Sequence, residues 1–146
     1  MRAARGGVWL SPRGRWTRIA CLSLSPHAMP LLAIGLNHTT APVEIREHVV
    51  FEPSGLEQAL DGLTALAGVE EAAIVSTCNR TELYCVVDSP DADSRAIIDW
   101  FHGWHGADPG AVAPCLYEWR DAAVVRHMLR VAAGLDSMIL GEPQIS

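Results

Sequence analysis

The fold this sequence predicts is an α+β domain, a ferredoxin-like split βαβ sheet in the order βαββαβ followed by a C-terminal helix. Three observations predict it. Apolar runs of strand length lie at 31–37, 72–77, 83–87 and 115–119, two stretches with the three- and four-residue apolar spacing of a helix face separate them, and a third such stretch follows Asp121.

The first strand is Leu31 to Asn37, closed by His38-Thr39-Thr40 and the turn residue Pro42, with a short helical turn through Val43 to Val50 after it. Beyond Pro53, Leu56, Leu60, Leu63 and Leu66 fall on one helix face, and Gly68 supplies the stop. The runs 72–77 and 83–87 make a hairpin whose tip, Cys78 to Glu82, is polar throughout. Ser94 to His105 carries Ile97, Ile98, Trp100, Phe101 and Trp104 on a helical stripe ended by Gly106 and Pro109, and Cys115 to Trp119 is the fourth strand. Asp121 is a good N-cap for a last helix expected to bury Val124, Val125, Met128, Leu129 and Ala132 before Gly134.

Length and composition suit one domain with a real core, and no apolar stretch approaches the roughly 20 residues of a membrane-spanning helix. The four cysteines, at 21, 78, 85 and 115, form no C-x-x-C pair and follow no secretory leader, so neither a metal site nor a disulfide framework is indicated and a reducing cytoplasm is expected. Residues 1–28 hold five arginines and no acid and lack periodicity, which marks them as a disordered leader, a transit peptide or a mis-assigned start before Met29. The remaining 29–146 carry six arginines against all 17 acids, a net of −11, so no broad phosphate-gripping surface is available and any RNA contact is local. The absence of lysine excludes a Schiff base and a phosphate-loop lysine.

Chemistry concentrates at Ser76-Thr77-Cys78-Asn79-Arg80-Thr81-Glu82, where a thiol at a strand end has turn amides and a cation nearby, the setting of a nucleophile. On spacing alone a buried cysteine acting as a small hydrophobe competes with that reading, as it does more strongly for Cys85, which alternates with Leu83 and Val87 on the core face. His127 on the last helix is suited to polarise a carbonyl or protonate a leaving oxygen, against the alternative of a core-edge histidine. His102 and His105 lack a third metal ligand and are assigned to structure. Arg46, Arg80 and Arg126 are candidate carboxylate partners, with a solvated role the default for Arg46 and Arg126. The run from Gly134 to Gln144 is interrupted by glycine, acid, serine and amide, and reads either as backbone close to a ligand or as a connection between helices.

The strings LLAIGLNHTTAPVEIRE, STCNRTELY and VVRHMLRVAAGLDSMILGEPQI together resemble the glutamyl-tRNA reductases, in order and spacing, across residues 30–146. The resemblance implies a cysteine thiolate that takes glutamate from glutamyl-tRNA as a thioester, which NADPH reduces to glutamate-1-semialdehyde at the start of tetrapyrrole synthesis. It places the nucleophile on Cys78, the assisting histidine on His127, and substrate contacts on Thr77, Asn79, Arg80, Ser137, Glu142, Pro143 and Gln144. It further implies a homodimeric full-length protein with a nicotinamide-cofactor domain. This chain contains no G-x-G-x-x-G and stops at Ser146 without cap or tail, so it is expected to be a fragment with the acyl-transfer half-site alone. The alternative is a fragment that binds glutamyl-tRNA or a protein partner without turnover.

Overall fold

The computed structural model describes residues 30–136 in full, together with the backbone of a two-residue antiparallel pair, β1 (Trp9–Leu10) and β2 (Trp16–Thr17). The rest of residues 1–29, and Ser137 to Ser146, lie outside the described residues. Among the described residues no helix is long and apolar enough to cross a membrane.

The domain follows the order β3 (Leu31–Asn37), α1 (Val43–His48), α2 (Leu56–Thr64), β4 (Val69–Thr77), β5 (Arg80–Val87), α3 (Arg95–His105), α4 (Pro109–Val112), β6 (Tyr117–Arg120) and α5 (Ala122–Ala132). The four strands form one antiparallel sheet ordered β4-β5-β3-β6. That is the split βαβ arrangement expected of two interleaved units, since the first and third strands are central and the second and fourth are edges.

Strand alternation gives the sheet two unlike faces. One presents Leu32, Ile34, Leu36, Leu83, Cys85 and Val87, onto which α2 packs Ala59 and Leu63 and α3 packs Ile97 and Phe101. Helix α3 ends at Gly106, whose φ of 57° is the left-handed cap conformation that glycine adopts without penalty. The other face carries Ala33 and Tyr84 beside Arg80 and Glu82, and Val124 of α5 packs on it.

Three expectations are corrected. Asp121 stands at the N-cap, but its side chain caps no helical amide: its carboxylate accepts from the Leu31 amide at 3.1 Å, and its backbone takes a φ of 47°. Among the described residues α5 buries Val124 and His127 alone, while Val125, Met128 and Leu129 are exposed, Leu129 at 66%. The contact is narrow because α5 meets the sheet at β3 and β6, leaving towards β4 and β5 a groove of about 160 Å³ lined in part by Tyr84, Val124 and Met128. Cys115 ends a 3-10 turn instead of opening the fourth strand, because Pro114 in that turn has no amide for a ladder.

His105 meets Phe51 edge-on at a centroid distance of 4.5 Å and Phe101 at 4.9 Å. Burial, with a smaller contribution from His48, lowers its pKa to about 4. The folded state therefore binds this proton less readily than the unfolded chain does. The resulting stabilisation is complete above about pH 6.5 and declines as the pH falls towards 4, by about 3 kcal/mol. Urea unfolding of the parent is expected to show this loss between pH 7 and pH 4, and His105→Leu is expected to lack this component of it.

Candidate active site

Cys78 and Asn79 are the two loop residues of the β4–β5 hairpin, whose last pair is Thr77 with Arg80. Neither loop residue takes a positive φ, so the primed turns common in two-residue hairpins are not used. The Thr77 hydroxyl instead accepts from the amides of Asn79 and Arg80, both at 3.2 Å, and holds the turn from below. Arg46 of α1 closes it from the side, donating from Nη1 to the Cys78 carbonyl at 2.7 Å and to Asn79 Oδ1 at 3.3 Å. The Cys78 side chain is left exposed, whereas Cys85 is buried and its thiol is pushed up to about 12 by desolvation. Iodoacetamide at neutral pH is therefore expected to modify Cys78 in the folded chain and to reach Cys85 only after denaturation, as peptide mapping by mass spectrometry would show.

The polar hairpin tip is shorter than its composition suggests. Arg80, Thr81 and Glu82 belong to β5 and are buried. The Glu82 side chain is 1% exposed and accepts from four donors: Arg80 Nη1 at 2.7 Å, Tyr84 Oη at 2.5 Å, His127 Nε2 at 2.9 Å, and the Tyr117 hydroxyl. Burial alone would raise this carboxyl. The hydrogen bonds from Tyr117, Tyr84 and His127, with the Arg80 charge, outweigh it and leave Glu82 below its ordinary value. Desolvation and the carboxylate push both phenols far up, so Tyr84 and Tyr117 act as donors.

Gly35 makes this meeting possible. It pairs with Glu82 on one side and Tyr117 on the other, and those two side chains join across the space its missing Cβ leaves. Because a carboxylate only accepts, the bond to Glu82 places a proton on His127 Nε2 and leaves Nδ1 as the outward nitrogen, 3.6 Å from Asp136 Oδ2. Asp136 also accepts from Arg130 at 3.1 Å, and its carbonyl takes the Arg80 Nη2 donor at 2.6 Å.

A cavity of about 520 Å³ opens between α5 and the loop after β3, and Tyr117, Trp119, Arg126, His127 and Asp136 form one wall. The opposite wall is Asn37 to Thr40, pinned by Asn37 Oδ1, which accepts from the Thr39 and Thr40 amides at 2.9 and 3.2 Å. Asn37 pairs with Arg80, so this wall and the Cys78 turn share one end of the sheet.

Of the site residues expected from sequence, Thr77, Cys78, Asn79 and Arg80 are contiguous, and His127 joins them through Glu82 and Arg80. The described hydrogen bonds do not link His127 to Cys78 directly. The guanidinium on the cysteine turn is that of Arg46, expected to be a solvated surface group, while the Arg80 guanidinium reaches Glu82 and Asp136 on the second face. Ser137, Glu142, Pro143 and Gln144 lie outside the described residues. Sequence reasoning missed Gly35, Glu82, Tyr84, Tyr117 and Asp136. An isolated glycine within a strand pattern was the available signal for the first; a carboxylate written next to a polar turn carries none for the second.

A sequence model of the family described as glutamyl-tRNAGlu reductase, N-terminal domain, matches residues 34–146. Glutamyl-tRNA reductases of Chromohalobacter salexigens and Nitrosococcus oceani are each 53% identical to the chain over 117 residues, and that of Marinobacter nauticus is 54% identical. Each match covers 80% of this chain and 27% of the relative, so the chain spans about a quarter of their length. The solved glutamyl-tRNA reductase of Methanopyrus kandleri superposes with a TM-score of 0.59 at 28% identity, covering 77% of this chain and 24% of that one. From its sequence and its fold alike, the chain belongs to the glutamyl-tRNA reductase family and matches that family's N-terminal domain.

Proposed function

We propose that this domain is the acyl-transfer site of a glutamyl-tRNA reductase, the oxidoreductase that begins tetrapyrrole synthesis, with Cys78 as acceptor of the glutamyl group. The observation that carries the reading is an exposed thiol on a turn braced by Thr77 and Arg46, at the sheet end where the Glu82 network and the cavity meet. In the proposed step the Cys78 thiolate forms a bond to the ester carbonyl carbon of glutamyl-tRNA. The ribose oxygen leaves as the carbon–oxygen bond breaks and takes up a proton. The products are a glutamyl thioester on Cys78 and free tRNA. His127, with Nε2 tied to Glu82, presents an unprotonated Nδ1, which takes up the proton released by the Cys78 thiol and passes it to the ribose oxygen. Arg80 keeps Nη1 on Glu82 and exchanges the Asp136 carbonyl on Nη2 for a substrate carboxylate. Thr77 and Asn79 border the reacting carbonyl.

NADPH, when bound, supplies the hydride for reducing such a thioester. The described residues do not fit it: the sheet is antiparallel throughout, and no glycine-rich strand-to-helix turn is present among them to receive a pyrophosphate. The proposal therefore ends at the thioester.

Incubation with glutamyl-tRNA is expected to give released tRNA and a glutamyl adduct on the Cys78 peptide, and Cys78→Ala neither. Equal tRNA release by the variant removes Cys78 from this role and leaves a binding domain.

A further inference from the structure

We infer that the cavity beside α5 seats the terminal nucleotide of the aminoacylated RNA, with Trp119 as the stacking surface for its base and Arg126 as the partner of its phosphate. The inference rests on the reading of Cys78 as acyl acceptor and adds to it a subsite for the leaving group.

Size and chemistry point to a nucleotide. About 520 Å³ is the scale of a site for a drug-sized ligand, more than a glutamyl side chain requires. The lining combines an indole that is 41% exposed with a guanidinium and the threonines of the Asn37–Thr40 loop. Aromatic rings that stack on unpaired bases, beside cations that meet phosphates, are how single-stranded RNA ends are held. The Trp119 ring lies 6.0 Å from that of His127 at an interplanar angle of 27°, so the stacking surface adjoins the histidine proposed to handle the leaving oxygen.

The arginines narrow the choice further. Arg80, Arg95, Arg120 and Arg130 are paired with Glu82, Asp93, Glu118 and Asp136, and Arg46 is engaged at the Cys78 turn. Among the described residues Arg126 is the arginine with no hydrogen bond or ion pair, and it lines the cavity. In a chain of net charge −6 this is a local phosphate contact of the kind the composition permits. The carboxylate in the cavity lining, Asp136, is engaged by Arg130 and faces His127.

The spacing agrees. Trp119 pairs with Ala33, four residues before Asn37 at the end of β3 that adjoins the cysteine turn. That is roughly 13 Å between backbones at ordinary strand rise, a span that an aminoacylated ribose and its base cover together with the lengths of the Cys78 and Trp119 side chains.

The test compares two acyl donors on the same chain: glutamyl-tRNA, and an α-glutamyl aryl ester with no nucleotide. For Trp119→Ala and Arg126→Gln, the ratio of the tRNA-dependent rate to the aryl-ester rate is expected to fall tenfold or more, with Trp119→Phe retaining most of it. Arg126→Gln is also expected to reduce the salt dependence of tRNA binding by about one unit of slope. A ratio within twofold of the parent in both variants overturns the inference. Failure of the underlying reading looks different: Cys78→Ala then retains both activities. Adenosine 5′-monophosphate binding, followed as the fluorescence change lost in Trp119→Phe, then decides the subsite alone, and its absence in the parent overturns it.

Discussion

Replacing Glu82 by alanine lowers the thermal midpoint by roughly 10–20 °C. This carboxylate, 1% exposed, is the shared acceptor of Arg80, Tyr84, Tyr117 and His127, and all four are left facing a void when it is removed. Breaking a buried ion pair by deleting one partner costs about 3–5 kcal/mol, because the surviving charge stays in a poorly solvated site. Two phenols that lose their acceptor add to that cost. Glu82→Gln keeps the volume and one acceptor oxygen, so it is expected to unfold nearer the parent while losing control of the His127 tautomer. The sign of the pH effect follows from the lowered carboxyl. Its stabilisation is present above the ordinary glutamate value of about 4.3 and is lost as the pH falls through the lower folded value. The midpoint gap between parent and Glu82→Gln should therefore be widest near neutrality and close in acid. A gap independent of pH, measured by scanning calorimetry, would mean that the carboxylate is not ionised in the fold. Within the proposed reaction Glu82 is a positioning residue, and ring nitrogen shifts of His127 that move from the Nε2–H to the Nδ1–H pattern in Glu82→Gln would report that role where stability alone does not.

Gly35→Ala is the second large effect, and it acts on the same network from the backbone. A Cβ at this position would lie 2.6 Å from the Thr81 carbonyl oxygen, 2.8 Å from Glu82 Cγ and 2.9 Å from Glu82 Cα. Two of these atoms are backbone of the neighbouring central strand, so no rotamer change relieves the clash and β3 must separate from β5. A cost of about 3 kcal/mol or more is expected, at the upper end of overpacking. The same displacement pushes Glu82 away from Tyr117. Urea denaturation with a midpoint close to that of the parent would show that the sheet can open at this pair.

The elements and their faces were legible because their signals are local. The aromatic stripe of α3 and the alternation of Leu83, Cys85 and Val87 each report one face of one element and lie where their period places them. Of the spaced leucines, Leu56 and Leu63 of α2 pack on the core and Leu66 does so from beyond the helix end, whereas Ala59 in place of Leu60 takes the buried position. The prominence of Cys78 was legible for a similar reason: it is the cysteine in a polar turn. The fate of Arg80 and Glu82 was not. Charged residues beside a turn read as solvated until another strand and a helix are known to cover them, and that cover depends on β3 lying between β5 and β6. The apolar stripe of α5 was correct as a pattern and wrong as burial, since periodicity reports which side of a helix is apolar and not how much of that side a narrow contact covers.

The sequence by itself determined the order of strands and helices, the inward face of each, and kinship with one reductase family, because these depend on spacing along the chain. The tertiary structure alone decided that Arg46 and not Arg80 braces the cysteine turn, that Gly35 opens the space in which Glu82 gathers four donors, and that Trp119 and Arg126 line one cavity with His127. Those relations join residues tens of positions apart, Arg46 with Cys78 and Glu82 with His127 among them. The physical reason is that hydrogen-bond register across the sheet, which no local period encodes, brings them within reach of one another.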